Sequence, residues 1–298
     1  MAVAVCVADV VSVLEGAYPS ALAESWDTGI GLTCGSPAAP VSAVLLAVDM
    51  DATVVAQAEA LGAQLIVTHH PMLFRPLQSV AADQPKGALI FRLIRSGIAH
   101  YSAHTNADKA VDGVNDALAS ALDLLDVRPL VADPADLLPA GHPQAGRTGA
   151  GRVGRVSMPL LLAEFVDLVA AALPATAGGV RAAGDPARLV RGVALCGGAG
   201  ESELAAATQA GADVYVTSDL RHHVVAEYMA GVAAPAVVDV PHWAGEWPWL
   251  HYAARVITGA VTRGLLTGTV TVTVSALRTD PWTIHRGRST ASPVTVTG

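Results

Sequence analysis

The residues best suited to chemistry in this chain are histidines that fall just past short apolar runs. "LIVT" is followed by His69 and His70, "AHYSA" by His104 with Asp108 one helical turn on, "AVVDVP" by His242 with Glu246 one turn on, and "VYVTSD" by His222 and His223 slightly later. Imidazoles with a few carboxylates are the donor set of a borderline transition metal such as Zn, Fe, Mn or Co. Cys6, Cys34 and Cys196 form no C-x-x-C pair, which excludes a structural zinc finger. Two cations held close together repel unless an anion bridges them, and Asp108 and Glu246 are the candidates for that role. Neighbouring side chains on extended backbone diverge, so His69 and His70 can serve one ion each.

Other features have plainer readings. His100, His142, His251 and His285 read as loop residues or satisfied core donors. His222 and His223 open the helical stretch "RHHVVAEYM", where one should face the core and the other solvent. His104 is open between ligand, partner of a ligand and proton carrier, and is the first candidate for general acid or base, ahead of His222 and His223. "CGGAG", Cys196 to Gly200, lacks the full G-x-G-x-x-G, and Glu201 beside it would repel an anion, so it reads as a tight turn. Trp243, Trp247 and Trp249 flank Glu246 and read as packing at a helix start with Pro248 in its first turn.

These residues need a frame that gathers strand ends. Shifted by 149 positions, "VLLAVDMDATVVAQAEALGAQLIVTHH" (Val44–His70) lies without a gap on "VALCGGAGESELAAATQAGADVYVTSD" (Val193–Asp219). Each copy reads as an apolar strand, an Ala-rich helix ending at Gly, and a β-branched strand. Leu89, Ile90, Leu93 and Ile94 space as a helix face, "IAHYSA" as a strand, and Val111, Val114, Leu118 and Leu122 as another helix. A strand from Arg152 to Ser157 and a helix starting near Pro159 precede the second copy. Such alternation predicts mostly parallel sheets with ligands at the carboxyl ends of the strands. The Pro-, Gly- and Asp-rich stretch between reads as a linker, dividing the chain into residues 1–131, a linker at 132–150 and residues 151–298. The Ser/Thr-rich tail after Pro281 reads as a surface strand or as disordered.

Composition narrows the class. Hydrophobic residues make up 52% and charged residues 15%, which describes a tightly packed globular protein. A net charge of -8 argues against a nucleic-acid surface. The apolar start is interrupted by Asp9 and Glu15 and has no basic flank, so neither a signal peptide nor a membrane span is expected. Three scattered cysteines read as reduced, mostly buried thiols of a cytoplasmic protein.

Taken together the motifs resemble the Nif-three-like family of dinuclear-metal-centre hexameric proteins, often labelled GTP cyclohydrolase type 2 homologues. "SWDTGIGL", "THHPMLF", "AHTNADKAVDGVNDALA", "VALCGGAGE", "GADVYVTSDLRHH" and "VVDVPHWAGEW" occur in that family's order. The resemblance implies an α/β class fold, three-layer α/β/α with two interleaved, similar halves. It implies two divalent metal ions per chain on His69, His70, Asp108, His242 and Glu246, in a homo-oligomer, a hexamer built as a trimer of dimers. Thr28, Ser218 and Pro241 depart from the family's usual Asn, Gly and Gly, and Pro241 bears on the angle of His242. The expected activity is hydrolysis of a small nucleotide-like substrate by metal-activated water. The alternatives are a non-catalytic metal-binding regulator or scaffold acting through partners, and a phosphate-binding module using "CGGAG".

Overall fold

The computed structural model describes residues 4–231 and 233–287. In chain order the first elements are α1 (Val7–Ala17), β1 (Gly31–Cys34), β2 (Ala43–Ala47), α2 (Ala52–Leu61), β3 (Leu65–Thr68), α3 (Pro85–Ser96), β4 (Ala99–Ser102), α4 (Thr105–Lys109) and α5 (Val114–Ala121). There follow β5 (Leu125–Ala132), β6 (Gly149–Leu161), α6 (Leu162–Ala172), β7 (Arg181–Ala183), β8 (Leu189–Ala199), α7 (Leu204–Gln209) and β9 (Val214–Ser218). The last are α8 (His222–Met229), β10 (Ala236–Asp239), α9 (His242–Glu246), α10 (Trp249–Thr262) and β11 (Thr271–Val274).

The strands form two sheets, ordered β1-β4-β3-β2-β11 and β5-β6-β8-β9-β10-β7. The repeat is a strand-helix-strand unit in both. Val44 stands opposite Leu65 and Leu46 opposite Val67, while Val193 stands opposite Val214 and Leu195 opposite Val216. The same shift of 149 positions therefore carries one parallel ladder onto the other. Local chemistry sets the helix limits: Asp51 accepts from the N–H groups of Thr53 and Val54 at 2.8 Å to start α2, and Gly62, at φ +61°, ends it.

Side chains alternate between two buried faces of each sheet, and this makes the layers. Val44, Leu46, Leu65 and Val67 of the first sheet, and Val193, Leu195, Val214 and Val216 of the second, share one core with α1, α5 and α10. The opposite faces pack separately, Leu45 and Ile66 against α2 and α3, and Ala194 and Tyr215 against α7 and its neighbours. Each sheet is thus sandwiched in α/β/α fashion, with the inner helices in common. The halves interleave, since β11, near the C-terminal end of the described chain, pairs in parallel with β2. The Pro/Gly-rich segment after Ala132 joins β5 to β6, which are antiparallel neighbours in one sheet.

Several local expectations change. The second sheet is mixed: β5, β6 and β7 run antiparallel to their neighbours, and only β8-β9-β10 are parallel. Pro159 lies inside β6 and α6 begins at Leu162, because the strand bulges and re-pairs with β8 through Leu160 and Leu161. In α3 Ile94 is exposed while Ile90 and Leu93 carry the buried face. Val111 precedes α5, which starts at Val114. His222 and His223 are both exposed, and α8 has no fully buried residue, so the helix rests on the sheet through half-buried side chains such as Val224 and Tyr228. The three cysteines are free and half-buried. Of the Ser/Thr-rich tail, 288–298 lie outside the described residues and Trp282 to Gly287 have no regular structure. Among the described residues no helix is long and apolar enough to cross a membrane.

Candidate metal centre

Three strand ends deliver the site. His69 and His70 follow β3 directly, His104 caps α4 after β4, and α9 follows β10. His104 and Asp108, and likewise His242 and Glu246, are four residues apart on one-turn helices, so each pair faces one way. β3-β4 and β9-β10 are parallel neighbours in their sheets, which makes α4 and α9 counterparts in the two halves.

The acids and imidazoles converge on a volume the size of an ion pair. Glu246 Oε1 lies 2.9 Å from His242 Nε2 and 3.3 Å from His69 Nε2, and its Oε2 lies 3.0 Å from His70 Nε2. His69 Nε2 is 3.6 Å from Asp108 Oδ1. The Nε2 atoms of His70 and His242 face each other at 3.2 Å. Two groups offer one ligand atom each within 4.8 Å of one another: His69, His70 and His104, and His70, His242 and Glu246. Residues from both halves of the chain therefore meet, including the pair His70 and Glu246, without which no shared centre could form.

Every imidazole has its far nitrogen held. Nδ1 of His69 donates to the Ala103 carbonyl at 2.9 Å, that of His70 to Asp49 at 2.6 Å, that of His104 to Asp27 at 3.0 Å and that of His242 to Asp219 at 2.7 Å. With Nδ1 donating, each neutral ring keeps its Nε2 lone pair for the centre, as histidines that ligate metals do. Trp249, fully buried, packs its ring 5.5 Å from that of His69.

The fit of a cation can be tested on atoms left without partners. His69 Nε2, Asp108 Oδ1 and Glu246 Oε2 are buried and make no well-formed hydrogen bond. Orphaned buried acceptors are costly, and three around one point are satisfied together by a positive ion. Proton affinities report the same field. Burial opposes charge on His69 and His70, yet Glu246, aided by Asp108 for His69 and by Asp49 for His70, raises both. Glu246 and Asp219 raise His242 against its burial. Burial resists ionisation of Glu246 but His242, His70 and His69 hold it well below the usual carboxylate range, whereas burial leaves Asp108 raised despite His69 and His104. The pocket stabilises positive charge, which a divalent ion would supply while leaving the imidazoles neutral.

The sequence profile of the DUF34/NIF3 family (NGG1p interacting factor 3) matches residues 5–281. This chain belongs to the DUF34/NIF3 family. It is 45% identical over 277 residues to a GTP cyclohydrolase 1 type 2 homolog of Streptomyces coelicolor, covering 93% of each chain. To a Mycobacterium tuberculosis protein of the same description it is 36% identical, covering 93% of this chain and 96% of that one. Among solved structures, a Bacillus cereus protein related to NIF3 superposes with a TM-score of 0.84 at 26% identity, over 94% of this chain and 99% of the other.

In this DUF34/NIF3 chain the "CGGAG" segment is not a tight turn. It is the end of β8, and Gly198, at φ +69°, leaves no room for a side chain: a Cβ there would lie 2.6 Å from Glu246 Oε1 and 3.3 Å from His242 Nε2. Buried Asn115 ties the segment to α4, accepting from Gly197 N–H at 2.8 Å and donating to the Asp108 carbonyl at 2.9 Å. His222 and His223 are outside the cluster. Asp27, Asp49 and Asp219, which orient three of the imidazoles, escaped the sequence reading. One signal was present, since Asp219 occupies in the second repeat the place of His70 in the first.

Two cavities flank the centre, with Asp49, His70 and His242 in the wall between them. One, about 790 Å³, is also lined by Asp108, Glu246, Lys109 and Glu24, with Trp26 and Phe74 at its edge. Trp26, Phe74 and His104 stand edge-on to one another with centroids 6.0 to 6.1 Å apart, and the two large rings are 57% and 55% exposed. The other, about 670 Å³, is lined by Arg181, Asp239, Thr279 and Trp282 among others.

Proposed function

We propose that this chain is a dinuclear-metal-dependent hydrolase acting on a small nucleotide-like substrate. The observation that carries the reading is the convergence of His69, His70, His104, His242, Asp108 and Glu246, with three orphaned buried ligand atoms, beside a cavity large enough for a nucleotide. His69, His104 and Asp108 would hold one ion, His70 and His242 the other, and Glu246, reaching imidazoles of both sets, would bridge. His104 goes with the first ion as a ligand, because its ring is held by Asp27 as the other rings are held by their own partners. Divalent ions at such a site supply Lewis acidity, polarising an electrophile and making water a nucleophile near neutral pH.

The chain's own residues do the rest. Lys109 is half-buried and paired with Glu24 at 2.5 Å; burial works against its charge, but Glu24 and Asp133 hold its proton, so it offers a fixed cation to an anionic substrate group. Trp26 and Phe74 offer π faces to a planar ring. A cavity that opens onto the ligands favours turnover over a regulatory or scaffold role, for which a closed site would suffice. The carboxylate of Glu246 facing Gly198 speaks against an anion on "CGGAG". Residues 1–131 would contribute four ligands and residues 151–298 two, joined by 132–150. We read the chain as a cytoplasmic homo-oligomer, a hexamer by its resemblance, consistent with exposed apolar side chains such as Met158, Ile94 and Leu265.

The test is elemental analysis of purified protein followed by a screen of nucleotides with and without chelator. Two ions per chain and chelator-sensitive turnover are expected. Two ions with no turnover on any nucleotide would move the reading to the scaffold, and no bound metal would end it.

A further inference from the structure

The segment after β11 runs along the side of the centre away from Trp26. Its base is fixed: Ser275 N–H donates to the Leu46 carbonyl at 2.8 Å, its hydroxyl to Gln57 at 2.7 Å, and its carbonyl accepts from Trp247 Nε1 at 3.0 Å. Four residues on, the hydroxyl of Thr279 donates to Asp49 Oδ2, while Asp49 Oδ1 accepts from His70 Nδ1. His70 and Thr279 are the two side-chain partners of Asp49 among the described residues. Asp49 and His70 are only partly covered, their side chains 32% and 26% exposed, so packing alone does not hold this pair.

The same arrangement occurs once more in the site. Thr105 donates its hydroxyl to Asp27 at 2.6 Å, and Asp27 in turn accepts from His104 Nδ1. A threonine hydroxyl behind the carboxylate that aims an imidazole is thus used on both sides of the centre. In one case the threonine is local to the histidine. In the other it comes from the far end of the chain.

Resting on the metal reading above, we propose that Thr279 is a positioning residue for the ion held by His70. Its hydroxyl fixes Asp49, and Asp49 fixes the ring with Nε2 directed at Glu246 and His242. The C-terminal segment is then part of the metal centre, acting from the cavity opposite the one that holds Lys109 and Trp26. Loss of the group that directly orients a metal ligand weakens metal affinity by about tenfold or more, and Thr279 holds that group, Asp49, in place.

The experiment titrates metal-free full-length protein with Zn²⁺ against a chromophoric chelator, for the parent, Thr279→Val and Thr279→Ser. Thr279→Val should weaken one of the two ions about tenfold and leave the other unchanged, and Thr279→Ser should restore parental affinity. Equal binding by parent and Thr279→Val overturns the proposal, and so does Thr279→Ser as weak as Thr279→Val, which would mean the methyl group rather than the hydroxyl matters. A parent that binds no Zn²⁺ fails at the metal reading itself, a distinct result that takes this proposal with it. Circular dichroism melts check folding, and Thr279→Ala carries the same comparison should the valine variant not fold.

Discussion

At the scale of single residues, the distances rank the acids. Glu246 stands within 3.3 Å of three imidazoles drawn from both groups, whereas Asp108 is close to His69 alone, at 3.6 Å. Glu246→Gln keeps shape and removes charge, so it should weaken both ions by about tenfold or more, while Asp108→Asn weakens one. Metal content after dialysis against buffered metal separates these outcomes; loss of both ions from Asp108→Asn, or of neither from Glu246→Gln, would refute the bridging assignment. Gly198→Ala tests the same carboxylate from the backbone side. The left-handed φ alone costs ~1–2 kcal/mol, and the new methyl must displace Glu246. A lower melting temperature together with reduced metal content is expected, and normal metal content would show that the carboxylate has room to move. Trp26→Ala leaves every ligand in place, so metal content should hold while KM for a nucleotide substrate rises by about tenfold, within the range of one lost stacking contact.

At the scale of elements, one histidine read from the sequence as ordinary core explains how three strands are held. His100 on β4 is fully buried between the Thr33 hydroxyl of β1, 2.6 Å from Nδ1, and the Thr68 hydroxyl of β3, 2.8 Å from Nε2. Burial, with Lys86 nearby, pushes its pKa down to about 3. Above the unfolded value near 6.5 neither state binds the proton; below it the unfolded chain gains a proton that native His100 refuses, so stability falls as pH drops, by up to about 1.4 kcal/mol per unit until about pH 3. His100→Gln should flatten that slope by ~2 kcal/mol between pH 6.5 and 4.5 in urea unfolding of metal-free protein, and equal slopes would show that His100 is protonated in the native state. The strand-helix-strand repeat was legible because each strand is a short continuous apolar run, buried on both faces, and glycine follows each helix, both local effects. β11 was not, because an edge strand of four residues is defined by the partner it finds, here β2, more than two hundred residues upstream. Ligand residues could be read from their place after strands, but Asp27 and Asp49 could not, since an acid after a strand or in a loop is ordinary until its partner is in view.

At the scale of the whole molecule, the centre is where the two sheets are joined by charge. β3 and β4 bring His69, His70, His104 and Asp108, and β10 brings His242 and Glu246, with Glu246 almost wholly buried between them. Without a cation that carboxylate must be neutralised by protons on its imidazoles, and three ligand atoms stay unsatisfied. Binding to the native state alone adds RT ln(1 + [L]/Kd), about 2.7 kcal/mol for each ion at a hundredfold excess over its Kd. At roughly 2–4 °C per kcal/mol for a chain of this size, stripping both ions should lower the melting temperature by roughly 10 °C or more. Calorimetry of protein dialysed against chelator and then reloaded with Zn²⁺ or Mn²⁺ measures the shift, and Glu246→Gln should lose most of it. If ions bridge sheets made from different parts of the chain, as proposed, the stripped protein should also lose cooperativity, unfolding over a wider temperature range. A melting temperature indifferent to chelator and metal in the parent chain would mean that the two sheets are held by their common apolar core alone, and that no cation sits between them.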